Sequence, residues 1–157
     1  MSADTVTPEV RSRMMAGIRD KDTKPELIIR SALHRRGFRF RLHRSDLPGK
    51  PDMVLSKHGA VILVHGCFWH GHDCHLFRWP KTRENFWREK IGSNAARDRK
   101  QLAELRDAGW RVAIIWECAL KGRNRLLPGA VADACARWLE SSELELELSG
   151  DETRPIA

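Results

Sequence analysis

The chain has no apolar run near the ~20 residues a membrane-spanning helix needs; its longest are the strand-sized AVILV and VAIIW. Its N-terminus, MSADTVTPEVRSRMM, lacks the apolar core of a secretory signal, so a cytoplasmic place is expected. No internal repeat and no linker interrupts the 157 residues, which therefore read as one domain able to bury a core without disulfides. Cysteine is sparse. The four present read as thiols or metal ligands before they read as disulfides. Disorder is excluded for most of the chain by a composition 41% hydrophobic and 31% charged.

What the chain has in excess is positive charge, unevenly spread. Residues 1–125 carry 26 Lys/Arg against 14 Asp/Glu, whereas residues 126–157 carry 2 against 7. A basic body of this kind attracts polyanions, nucleic acid being the commonest, although a solvated basic surface has the same composition.

Periodicity predicts two N-terminal helices. One is TPEVRSRMMAGIRD, with Met14 and Ile18 on one side. The other is TKPELIIRSALHRRG, with Thr23 and Glu26 as a capping box, Leu27, Ile28 and Leu33 as apolar contacts, and Gly37 as its end. FRFRL, MVLS and AVILVH read as strands, the last two as a hairpin or meander. TRENFWREKIGSNAARDRKQLAELRDAG predicts one long helix or a kinked pair. WRVAIIWE predicts a buried strand, and GAVADACARWLE a closing helix with Val131, Cys135, Trp138 and Leu139 on one face. The order implies an α/β fold, a mixed sheet flanked by helices. The expected domain spans residues 1–141, with 1–22 as a helical arm and 142–157 as an acidic, flexible tail.

The segment VHGCFWHGHDCHLFRWP concentrates four histidines and two cysteines. Cys67, His72 and Cys74 fall as C-x4-H-x-C, and Cys118 lies just past the buried strand. Together they fit a saturated tetrahedral zinc site that would hold the loop without doing chemistry. His65, His70 and His75 rival His72 for the histidine place. A buried small hydrophobe at Cys118 and surface histidines are the plain alternative. Cys135, on the apolar face of the last helix, reads as a core thiol.

GKPDMVL puts Asp52 at the entrance of a strand, where a carboxylate can hold a hard divalent cation, or can simply make an Asx turn. Lys90 and Asn94, four apart on the long helix, share a face and could reach groove edges or phosphates, or merely face solvent. Trp110, Trp116 and Trp138 are assigned to the core. Phe68 and Trp69, taken alone, also read as core aromatics.

LPGKPDMVL, VHGCFWHGHDC, TRENFWREKIGSNAARDRK and GWRVAIIWECAL together resemble the very-short-patch repair (Vsr) mismatch endonucleases. The likeness runs from about residue 8 to residue 140, with G-C-F-W-H followed by C as its most specific motif. It implies the restriction-endonuclease-like fold and a magnesium-dependent enzyme with a structural zinc. Such an enzyme nicks one strand of duplex DNA 5′ of the thymine in T:G mismatches left by 5-methylcytosine deamination. By the same resemblance Asp52 and the backbone carbonyl of Val64 would hold magnesium. His70 would be the general base, a role that suits an imidazole of ordinary pKa about 6.5; His65 would stand nearby in place of the superfamily's lysine. Glu26 would support catalysis, although it also serves its own helix cap. Cys67, His72, Cys74 and Cys118 would hold zinc. Phe68, Trp69 and Trp87 would enter the DNA stack beside the mismatch, with Met14 and Ile18 pressing from the other groove. Mismatch-repair proteins and a repair polymerase would be further partners of a monomeric, nucleoid-associated enzyme. Two rival readings remain at this point: a nuclease of the same fold cutting another lesion or site, and a zinc-bearing DNA-binding module without catalysis.

Overall fold

A computed structural model describes residues 23–150. The first expected helix, with Met14 and Ile18, lies outside the described residues, as does 151–157. The elements run α1 (Lys24–Arg35), β1 (Arg41–Leu42), β2 (Met53–Leu55), β3 (Ala60–His65), α2 (Glu84–Asp107), β4 (Arg111–Trp116), α3 (Pro128–Leu139) and β5 (Glu145–Leu148). Among the described residues no helix is long and apolar enough to cross a membrane.

The five strands form one mixed sheet in sequential order, β1-β2-β3-β4-β5. The first two pairings are antiparallel, and β3-β4 and β4-β5 are parallel. Both parallel pairs are joined through a helix, which is what a parallel connection requires. The unalternating apolar runs now have their reason: both faces of the sheet are covered. Met53, Leu55, Ala60, Ile62, Ala113 and Ile115 face a core shared with α1 and α3. Val54, Val61, Leu63 and Val112 face the other way, onto Leu105 of α2. The result is three layers, helix on sheet on helix.

Thr23 caps α1 by accepting the Glu26 N–H at 3.4 Å, and Pro25 sits in the first turn. The reciprocal half of the expected box is replaced. The Glu26 carboxylate is buried and turned to Arg30 and His43. The buried stripe runs through Ile29, Ala32 and Leu33; Leu27, expected to pack, is 45% exposed. Of FRFRL only Arg41 and Leu42 are strand, because Phe38 is drawn down into the core. The long helix is one uninterrupted element of 24 residues. Cys135 is fully buried, and burial pushes its thiol up to about 12, as a core thiol should behave.

The acidic tail needs correction. Its ELEL stretch is the fifth strand, paired parallel with β4 from Val112↔Glu145 to Ile115↔Leu148. Leu146 and Leu148 pack on the core, while Glu145 meets Arg106 at 2.5 Å and Glu147 accepts the Trp116 indole N–H at 2.7 Å. The two glutamates of the strand lie on its outer face, where each finds a partner.

Arg111 ties three parts of this architecture together. Its guanidinium donates to the carbonyls of His58, Trp138, Leu139 and Glu143 at 2.9–3.3 Å and lies 4.8 Å over the Trp138 ring. It thus joins the β2–β3 connection to the end of α3 and the approach to β5. Arg111→Met removes the side-chain donor from four carbonyls at once, most of them part-buried, and should cost about 3 kcal/mol, read as a Tm loss of roughly 10 °C. A Tm within about 2 °C of the parent would show that the carbonyls find other donors.

Candidate active site and metal centre

Strand direction decides where function can sit. Since β2 alone runs opposite to the others, its start lies at the same edge as the ends of β1, β3, β4 and β5. Along that edge stand His43 after β1, Asp52 before β2, His65 at the end of β3, Trp116 and Cys118 at the end of β4, and Gly150 past β5. Glu26, in the first turn of α1, joins them. Open α/β sheets carry their sites at such carboxyl ends.

The first cluster is Glu26, His43 and Asp52, whose ligand atoms lie within 4.8 Å of one another. Glu26 accepts from His43 Nε2 at 2.9 Å and from Arg30. His43 was not foreseen. Its backbone is in the left-handed region (φ 49), sparsely populated for residues other than glycine, at the step that carries its imidazole between the two acids. The amide of Val64 donates to Asp52 Oδ2 at 2.6 Å, fixing the carboxylate against the end of β3. Burial first, then the hydrogen bond and charge of Glu26, push Asp52 up to about 8, against a downward pull from the Val64 amide and Arg30. Two acids held together in a poorly solvated place are unfavourable as a pair of anions. A hard cation seated between them would relieve that strain, so the residues fit a divalent, oxygen-bound ion.

The second cluster is His65, His70 and Asp98. The two imidazoles stack at 3.9 Å with planes 3° apart, and His70 Nδ1 lies 2.5 Å from Asp98 Oδ2. Ring lone pairs lie in the ring plane, so two parallel, stacked imidazoles cannot both aim at one ion. The trio is therefore built for protons and hydrogen bonds. Burial, reinforced by His70, holds His65 far below the usual histidine range, at about 3, so it is neutral. Its Nδ1 is buried without a hydrogen-bond partner among the described residues. Asp98 was also missed from sequence. The available signal was its place four residues after Asn94 and seven after Ile91, on the one buried stripe of α2.

The third cluster is Cys67, His72, Cys74 and Cys118, as the spacing suggested. His72 Nδ1 lies 3.5 Å from Cys67 Sγ and 3.6 Å from Cys118 Sγ. Metal–sulfur bonds of about 2.3 Å and metal–nitrogen bonds of about 2.0–2.1 Å in a tetrahedron set a sulfur–nitrogen edge of about 3.6 Å. Those two edges match a four-coordinate site, and Cys74 Sγ lies within 4.8 Å of the other three ligand atoms. Burial raises the Cys67 and Cys118 thiols above their ordinary range, so a bound cation would take the place of their protons. The other histidines of the segment go elsewhere.

The loop between β3 and α2 is wound around this cluster. His70 and His72 donate backbone N–H groups to the carbonyls of Gly66 and Cys67, and Cys67 N–H meets Glu117 Oε1 at 3.1 Å. Gly71, at φ +65, sits so close to α2 that a Cβ would come within 2.8 Å of Ile91. Trp116 is not core, as expected, but the wall between two clusters. It stacks on His72 at 4.1 Å and turns its edge to His65 at 5.3 Å.

Phe68, Trp69 and Trp87 do converge, with ring centroids 5.1–5.9 Å apart, and Trp69 is 38% exposed. Lys90 is exposed. Asn94 departs from the groove-facing expectation: it is 7% exposed, donates to the Trp69 carbonyl at 2.9 Å and accepts from Arg97. It braces the aromatic ledge from beneath.

The mixed sheet, with acids and imidazoles along one edge, fits the restriction-endonuclease-like class of DNA-cleaving enzymes. Residues 3–76 match the family model described as DNA mismatch endonuclease Vsr. The chain is 42% identical over 150 residues to the DNA mismatch endonuclease Vsr of Escherichia coli K12, an alignment covering 94% of this chain and 96% of the relative. It is 50% identical over 123 residues to the type II nicking enzyme V.XorIIP of Xanthomonas oryzae, covering 78% and 90%. With V.NmeAIP of Neisseria meningitidis it shares 45% over 120 residues, covering 76% and 86%. The chain belongs to the Vsr family of DNA mismatch endonucleases.

The corrected fifth strand reaches the Cys67–His72–Cys74–Cys118 cluster. Gly150 donates its N–H to Cys118 Sγ at 3.2 Å, and a Cβ there would lie 2.8 Å from the Cys118 carbonyl oxygen and 3.0 Å from that of Asn124. Gly150→Ala should therefore weaken metal retention by the four-ligand site, on the order of tenfold, in competition with a chromophoric chelator. Unchanged retention would show that the strand merely passes by.

Proposed function

We propose that the chain is a magnesium-dependent, strand-specific endonuclease that nicks duplex DNA immediately 5′ of the thymine in T:G mismatches. Support comes chiefly from the convergence, at one sheet edge, of an acidic cation pocket and an aspartate-bound imidazole beside an exposed aromatic ledge. Family membership and the nicking relatives point the same way.

Asp52, with the Val64 carbonyl, would hold the magnesium, and Glu26 with His43 would close the pocket behind it. An ion held by these residues would supply polarisation of the phosphate and a water of lowered pKa. His70 is the base. With Nδ1 engaged by Asp98 at 2.5 Å, its Nε2 is left to take the water proton, so the aspartate selects the tautomer. His65, neutral, offers a hydrogen bond where the wider superfamily has a charged lysine. Water oxygen adds to phosphorus as its proton passes to His70, the bond to the 3′ oxygen breaks, and that oxygen takes a proton from solvent water, giving 5′-phosphate and 3′-hydroxyl ends.

Zinc is the ion proposed for Cys67, His72, Cys74 and Cys118, a closed set that keeps no position open for substrate. Phe68, Trp69 and Trp87 would wedge into the stack at the mismatch, where unstacking costs least. Lys90 would reach the groove or its phosphates. Met14 and Ile18 would act from the opposite groove, and mismatch-repair proteins and a repair polymerase would complete the repair.

Asp52→Ala should abolish nicking of a T:G duplex while leaving its binding largely intact, and His70→Ala should lower turnover far more than affinity. Equal loss of both properties would make either residue structural. Metal analysis of protein purified without chelators should find one zinc per chain; a zinc-free, fully active preparation would remove that assignment. Comparison of matched and mismatched duplexes separates this reading from a nuclease aimed at another site. Binding without any cleavage product would favour the non-catalytic module.

A further inference from the structure

Trp79 has no part in any of the three clusters, yet it is 38% exposed, as open as Trp69 of the ledge. It is not a loose surface residue. Phe77 meets it edge-on at 4.9 Å and 88°, and the Arg88 guanidinium lies 4.4 Å from its ring centroid. Arg88 is in turn fixed by Glu84, which accepts from both Nε and Nη2 at 2.8–3.0 Å. An indole held from two directions keeps little rotamer freedom to lose when it meets a partner.

The surroundings say which partner. Arg78 and Lys81, close to Trp79 in sequence, are exposed, as are Arg83 and Arg88, and Arg83 covers the exposed Phe86 at 4.1 Å. Aromatic faces interleaved with guanidinium groups suit a polyanion that carries flat bases and sugars. The patch is also continuous with the ledge. From Phe68, one stacked step of 5.8 Å reaches Phe77, and the next of 4.9 Å reaches Trp79. At ~3.4 Å per base pair, Trp79 therefore lies within about three steps of a wedge at Phe68.

We propose that Trp79, backed by Arg88, is a second DNA-contact point that packs on the sugars or base edges of the duplex flank, within about three base pairs of the wedge. This rests on the reading that the Phe68–Trp69–Trp87 ledge meets the duplex. Its contribution is apolar contact and not charge neutralisation, since the cation behind it is already shared with Glu84. Nothing in the wedge itself requires an aromatic at this position, so Trp79 enlarges the footprint of the protein and sets how much flanking duplex it needs.

The test is fluorescence anisotropy with the full chain, without divalent cation, on T:G duplexes that are long on both sides or trimmed to about one base pair on either side in turn. Trp79→Ala should weaken binding to the long duplex about tenfold, within the 1–3 kcal/mol assigned to base–aromatic contacts. Trp79→Phe should recover most of the loss, and the salt slope should not change. Trimming one particular side should weaken the parent and abolish its difference from Trp79→Ala. The proposal is overturned if Trp79→Ala binds every duplex as the parent does. It is equally overturned if the variant loses the same factor on all of them, for that would mean a slackened ledge acting through Phe77. Thermal stability and bound metal, measured on the same samples, should match the parent. If the parent shows no preference for T:G over matched duplex, the mismatch reading fails, while the length-dependent Trp79 effect can still be read on the matched set.

Discussion

The constraint on which the site depends is the junction between the loop after β3 and the end of β4. That loop carries Cys67, His72 and Cys74 but little regular structure, and Cys118 is the fourth corner, delivered by a rigid parallel strand. Loops of this length are ordinarily mobile. Here three thiols and an imidazole gather within 4.8 Å of one another, and Trp116 is pressed between the imidazole of His72 and that of His65. The positions of His70, and of the aromatics just before it, follow from that closure. Disturb one corner and the imidazole two residues away moves with it.

A second tension runs through the acidic pocket. Burying Glu26 costs several kcal/mol unless it is paired, and its partners Arg30 and His43 come from its own helix and from the end of β1. Asp52 adds a further acid that burial and Glu26 both push toward the protonated form. Such a group of side chains contributes little to stability by itself. The fold can carry it because stability resides elsewhere, in the two apolar faces of the sheet and in the carbonyls gathered by Arg111. The separation is physical: layers hold the chain together, and the edge is left to chemistry.

Much of this was legible in the residues, and what was not has identifiable causes. The buried strands, the long helix and the four soft ligands announce themselves, because period and metal-ligand spacing are local signals. His43 and Asp98 were missed because each acts across the fold, 17 residues from Glu26 and 28 from His70. Lone polar residues of that kind have no pattern until the topology brings their partners. The fifth strand was read as a tail because its glutamates outweighed its leucines, although ELEL has the period of two; partners at Arg106 and Trp116 changed the balance. Asn94 was placed on the right face of the right helix with the wrong depth: spacing gives direction along a helix but not how far a neighbouring loop will cover it.

That depth matters for how the aromatic ledge works. A wedge must offset an unstacking cost of a few kcal/mol, and side chains that stiffen only on contact would add their own ordering entropy to it. Asn94 holds the Trp69 main chain from below, Gly71 lets the loop settle against Ile91, and Phe68 is gripped by Phe77, Trp69 and Trp87. The ledge is therefore ordered before any partner arrives. Because the same loop carries His70, seating of the aromatics on a duplex and placement of that imidazole would be one event. A duplex that resists the wedge would keep its scissile linkage away from the imidazole, so selectivity for a deformable step would be enforced at the chemical step as well as at binding.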